Sequence, residues 1–143
     1  MCRRGFTLLE ILLSLAALAL IAGLSMPLYN GLELSNELDS SAQLVSGSLH
    51  RAQTLAQGME GDSAWGLYWN LGDLVIFKGA SYIGHDTAFD ENIALPGSVS
   101  ISPANSVIFA KFTGEVAATS LTLTSSNGQT KSLSINTKGT VEY

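Results

Sequence analysis

Two spacings of hydrophobic residues divide the N-terminal third of the chain. From Phe6 to Met26 the residues run almost unbroken as "FTLLEILLSLAALALIAGLSM", with Glu10 the one charged side chain among them. About 20 apolar residues cross the hydrocarbon core of a bilayer as a helix, so a membrane-spanning segment is expected over residues 6–28. The apolar positions then thin to a stripe at Leu34, Leu38, Ala42, Val45, Leu49, Ala52 and Ala56. Steps of three and four residues predict that the helix continues over residues 29–57, with one face buried. Pro27 lacks a backbone donor and predicts a kink between the two halves. Gly58, just past the last periodic residue, is the expected stop.

Beyond Gly58 the period changes to two. The runs "SAWGLYWNL", "DLVIFKG", "SVSISP", "SVIFAKF" and "SLTLTSSNGQTKSLSINTKGTVEY" read as short strands separated by turn residues. Leu121 and Leu123 alternate with Thr122 and Thr124, and Leu133 and Ile135 with Ser134 and Asn136, giving each strand one buried and one wet face. Asn127-Gly128 predicts a hairpin, and Lys138-Gly139 a turn before a last strand over 140–143. The expected fold class is α+β. A long N-terminal helix, transmembrane in its first half, packs by its second half on a C-terminal antiparallel β-sheet or two-sheet sandwich. The β-rich head spans 58–143, with no internal repeat and no low-complexity linker.

Charge sharpens the reading of the apolar run. A carboxylate at the centre of a bilayer costs about 2.5–3.5 kcal/mol, so Glu10 needs a partner and a reason. Arg3 and Arg4 precede the run and hold its start on the cytoplasmic side. A plain uncleaved anchor accounts for the arginines but not for Glu10, and "AGLSMP" is only a weak secretory cleavage site. The 143 residues carry a net charge of −5. Losing Arg3 and Arg4 from the 7 basic residues leaves 5 against 12 acidic ones, a net of −7. That balance weighs against nucleic-acid binding, which needs clustered Lys and Arg. Cys2 is the sole cysteine and belongs to the leader, so the rest of the chain forms no disulfide of its own.

The stretch "RRGFTLLEILLSLAAL" resembles the N-terminal signal of bacterial type IV pilins and type II secretion pseudopilins. The shared pattern is a short basic leader ending in Gly, then Phe, an acid four residues later and an apolar helix; Pro27 matches a kinking proline common in the family. The resemblance implies removal of residues 1–5 by a prepilin peptidase cutting between Gly5 and Phe6, and N-methylation of Phe6. It also implies assembly by helix packing, with Glu10 pairing to the N-terminal amine of a neighbouring subunit. The implied partners are other pilins or pseudopilins, the peptidase and an inner-membrane assembly platform. The implied location is the inner membrane, single-pass, with the head in the periplasm or outside the cell, and then the pilus or pseudopilus.

The stretch "LVSGSLHRAQTLAQG", with Arg51-Ala52, and the ending "VIFAKFTGEVAATSLTLTSSNGQTKSLSINTKGTVEY" are similar to the GspH/FimT family of minor pseudopilins and pilins. One departure is Lys138-Gly139-Thr140, where an Arg often follows the Gly. The alternative functions are a DNA-uptake or adhesive minor pilin and an uncleaved membrane-anchored binding domain. No catalytic residue, cofactor or metal is assigned. His50 and His85 are isolated in sequence, and no nucleophile-elbow pattern occurs. "GHDTAFDEN" gathers His85, Asp86, Asp90, Glu91 and Asn92, but fits no defined calcium loop and reads as a solvated acidic loop. Trp65, Tyr68 and Trp69 are expected to pack in the core.

Overall fold

The computed structural model describes residues 6–143 except Leu71, Ala104 and Tyr143, and not the side chains of residues 24–30. The leader expected at 1–5, with Gly5 at its end, lies outside the described residues. Contacts divide the chain into two units, Met1–Glu33 and Leu34–Tyr143. Helix α1 (Leu8–Gln57) contributes to both, and its bounds lie close to those the apolar pattern predicts. Pro27 lies within α1, and its side chain falls outside the description.

In the second unit the apolar stripe of α1 is the centre of the core. Ala42, Val45, Leu49, Ala52 and Ala56 are fully buried and Leu38 nearly so. Facing them are two four-stranded antiparallel sheets. The first is ordered β3-β2-β1-β5, from β1 (Trp65–Asn70), β2 (Asp73–Lys78), β3 (Glu91–Ala94) and β5 (Ser106–Phe109). The second is ordered β4-β6-β7-β8, from β4 (Val99–Ser102), β6 (Thr119–Ser125), β7 (Thr130–Ile135) and β8 (Val141–Glu142). Each sheet turns one face inward: Trp65, Leu67, Trp69, Leu74 and Ile76 from the first, Leu121, Leu123, Leu133 and Ile135 from the second.

The outer faces differ. On the second sheet, neighbouring strands pair hydroxyl with hydroxyl: Ser102 with Thr122, Thr122 with Ser132, and Ser120 with Ser134. The first sheet is covered on its outer side too. Gly66, Val75 and Phe77 are buried there, and Tyr82 and His85 pack beside Phe77. A Cβ on Gly66 would lie 2.6 Å from the Phe77 ring and 2.8 Å from the Val107 carbonyl, so only glycine fits under that ring.

The turns follow from their residues. Thr124 faces Thr130 across the Asn127-Gly128 hairpin, and Gly128 has φ 86°. At the last turn Asn136 Oδ1 accepts from the amides of Lys138 and Thr140, each at 3.0 Å. Two elements depart from the sequence pattern. The run "SVIFAKF" leaves the sheet at Phe109, because Phe112 turns back at φ 75° to donate its amide to Ala56 O at 3.0 Å. Ala56 O, one of the last carbonyls of α1, accepts from the Met59 amide at 3.3 Å as well. The acidic stretch "GHDTAFDEN" is not simply a solvated loop, since its end forms β3 against β2.

Candidate functional site

The N-terminal segment begins at a built helix start. Thr7 precedes α1; its Oγ1 and its carbonyl accept from the Glu10 amide at 3.3 and 3.1 Å. Ser14 Oγ donates to Glu10 O at 2.6 Å. Thr7-Leu8-Leu9-Glu10 is therefore an S/T-x-x-E start, a signal present in the sequence but hidden behind the apolar run. Glu10 falls in the first turn, where the helix dipole favours a negative charge. This gives the acid a local role besides any partner it meets in an assembly.

Around Glu10 the surface is apolar and bare. Phe6 is 81% exposed and Leu13 73%, and Leu8, Leu9, Ile11, Leu12, Leu15, Leu18, Leu20 and Ile21 are exposed as well. A run of this extent marks a surface meant for lipid or protein. Among the described residues no helix is long and apolar enough to cross a membrane. Part of the span expected over 6–28 consists of the undescribed side chains from residue 24 onward.

In the head, the residues singled out from sequence are mostly engaged structurally. Arg51 forms a bidentate pair with Glu91, Nε and Nη2 donating at 2.5 and 2.6 Å. The pair holds the Glu91 carboxyl below its ordinary value, chiefly through that hydrogen bond, and raises Arg51. Lys111 meets Asp62 at 2.5 Å, Lys131 meets Asp39 at 2.7 Å, and Lys78 sits 4.1 Å over the Phe89 ring. Ser98 donates to Glu37 of α1. Asp86 caps the short turn Thr87–Phe89 by accepting from the Ala88 amide at 3.1 Å, and Asp90 pairs with His85. Among the described residues no group of three or more His, Cys, Asp or Glu is placed to hold a metal ion. His50 is exposed on α1. Trp65 and Trp69 are buried as expected, whereas Tyr68 lies half-buried on the outer face, stacked on Tyr82.

The end of α1 is clamped to two turns. Gln53 Nε2 donates to Lys138 O at 2.8 Å and to Gly114 O at 3.3 Å, and Gln57 Nε2 to Thr113 O at 3.3 Å. Gly139 has φ 81°, and a Cβ there would lie 2.3 Å from Gln53 Nε2 and 2.9 Å from Gly114 O. The conformation and the space both require glycine. Neither the glutamine clamp nor the Arg51–Glu91 pair was visible in sequence, because each joins residues 40 or more positions apart.

Residues 1–26 match the prokaryotic N-terminal methylation motif. The fold is similar to that of the minor pseudopilin EpsH from the type 2 secretion system of Vibrio cholerae, with 14% sequence identity and a TM-score of 0.55. The likeness covers 74% of this chain and 94% of that one. No curated protein matches the sequence. The chain thus joins a prepilin-type N-terminus to a long helix and two antiparallel sheets, a pseudopilin-like α+β fold.

Proposed function

We propose that the chain is a minor pseudopilin or pilin of the GspH type, a structural filament subunit rather than an enzyme. The observation that carries this reading is the bare apolar segment that starts at Phe6 and holds one acid, Glu10, inside a methylation motif. Cleavage between Gly5 and Phe6 creates an amine one helical turn from Glu10, and the amine is then methylated. In a packed bundle of such helices, the amine of one subunit meets Glu10 of the next. Leaving either charge alone in that apolar setting is costly, so the pair sets the register of assembly.

Before assembly the subunit rests in the inner membrane by residues 6–28, bent at Pro27, with its head on the far side. A platform protein and the peptidase act on it there. Likeness in fold to EpsH supports a type II secretion pseudopilus over the other machines. A DNA-uptake role has less support, because Arg51, Lys111 and Lys131 are already held by Glu91, Asp62 and Asp39.

Cross-linking in native membranes followed by mass spectrometry tests the reading. A peptide beginning at methylated Phe6, joined to other pilin-like chains, is expected. An N-terminus retaining Arg3 and Arg4 with no such partner refutes it. Gly5→Leu is expected to block cleavage. Glu10→Ala is expected to enter the membrane yet join filaments poorly, and wild-type incorporation of that variant would overturn the paired-charge argument.

A further inference from the structure

The loop at residues 79–90 packs on the outer face of the first sheet through Tyr82 and His85, with Phe89 against Trp65 and Lys78. The imidazole stacks on Tyr82 at 4.6 Å between centroids and meets Phe77 edge-on at 5.4 Å. Tyr82 in turn stacks on Tyr68 of β1 at 3.7 Å and 6°. Only 8% of the His85 side chain is exposed. Both of its ring nitrogens face oxygen. Nε2 lies 3.0 Å from Asp90 Oδ2 and 2.9 Å from Oδ1, and Nδ1 lies 2.5 Å from the Tyr82 carbonyl.

Neither the carbonyl nor an ionised carboxylate can donate. A neutral imidazole has one N–H and one lone pair, so it serves one of these acceptors and aims a lone pair at the other. The imidazolium donates to both. The acids facing the ring are Asp90 directly and Asp86 more remotely. From β2 the facing group is the uncharged Phe77, while Lys78 directs its ammonium to Phe89. From β1, Tyr68 reaches the ring only through Tyr82. Glu91, next to Asp90, is held by Arg51. No cation among these groups opposes a charged His85. The Asp90 hydrogen bond raises its pKa above the ordinary histidine value of 6.5, against the opposing effect of burial.

We propose that His85 is a proton-operated latch: with both ring nitrogens protonated, residues 79–90 lie closed over Phe77 and Tyr68, and loss of one proton to water releases them. The released segment carries Tyr82 and Ile83, the latter already 91% exposed. Its opening uncovers an aromatic face of the first sheet and draws Phe89 away from the edge of Trp65, 6.4 Å between centroids. The control is therefore local, acting on one outer surface of the head rather than on the whole fold.

The experiment uses the full chain in detergent micelles. Hydrogen exchange of backbone amides is followed by mass spectrometry from pH 5.5 to 8.5, corrected for intrinsic rates, alongside NMR titration of the His85 Cε1–H signal. Protection of residues 79–90 is expected to fall several-fold as pH rises, while β6 and β7 hold theirs. His85 is expected to titrate above the value it shows in the urea-unfolded chain. Asp90→Asn, which keeps the ring and removes the facing charge, is expected to move the opening to lower pH. His85→Gln is expected to lose the pH dependence. Loop protection that is flat across the range overturns the latch, as does titration of His85 at or below its unfolded value. An unchanged opening in Asp90→Asn does so as well.

Discussion

Replacing Gly139 by alanine isolates the value of the clamp at the end of α1, provided Gly128→Ala is measured beside it. Both glycines occupy left-handed turns, at φ 81° and 86°. An L side chain there costs about 1–2 kcal/mol, partly offset by about 0.4–1 kcal/mol from the stiffer unfolded chain. Those two effects are common to the pair and cancel in the difference. What remains is contact. Nothing lies within 4 Å of a Cβ at Gly128, whereas at Gly139 the new atom would displace Gln53 and press on Gly114 O. Gln53 then loses its bonds to Lys138 O and Gly114 O, each worth about 0.5–1.5 kcal/mol. Gly139→Ala is therefore expected to cost about 1–3 kcal/mol more than Gly128→Ala. Urea unfolding of the full chain in mild detergent measures it, with Trp65 and Trp69 in the core as the fluorescent probes. The difference appears as a shift in midpoint at constant slope. Equal destabilisation by the two variants would refute the reasoning and show that Gln53 finds other partners at no cost.

Other outcomes are accessible to the same methods. Leu49→Ala removes a fully buried side chain from the middle of the stripe and is expected to cost about 2–5 kcal/mol in urea unfolding. The lowered Glu91 pKa means that its contribution to stability is complete above the free carboxyl value of 4.5 and is lost as pH falls through the lower folded value. Arg51→Ala is expected to abolish that acid-limb dependence. A double-mutant cycle with Glu91→Ala, repeated at high salt, reads the coupling, which should shrink because both side chains are substantially exposed. The processing and assembly variants at Gly5 and Glu10, and the His85 titration, complete the set.

Legibility from sequence tracked how local each signal is. The helix was readable because its apolar stripe needs only its own period, and α1 ends at Gln57 as the stripe and Gly58 indicate. The β6–β7 hairpin was readable because Asn127-Gly128 sits between two alternating runs. β3 was not, since Glu91-Asn92-Ile93-Ala94 puts polar residues on a sheet edge that only β2 identifies. "SVIFAKF" reads as one strand through Phe112, yet the strand ends at Phe109 and the chain turns back at Phe112 to bond Ala56 O, a contact 56 residues away in sequence that the run itself does not show. At the N-terminus the almost unbroken apolar run hid a cap. Thr7 and Glu10 read as interruptions of an apolar run, although together they start it.

The hydroxyl-covered face of the second sheet has a consequence for how the protein meets its surroundings. Its cross-strand pairs of serine and threonine bind water without carrying charge. Glu142 of β8, which pairs with Ser134, is the one charged strand residue on this face among the described residues, so the field over the middle strands is weak. Recognition through charge is left to the Glu142 edge and to the other surfaces of the head.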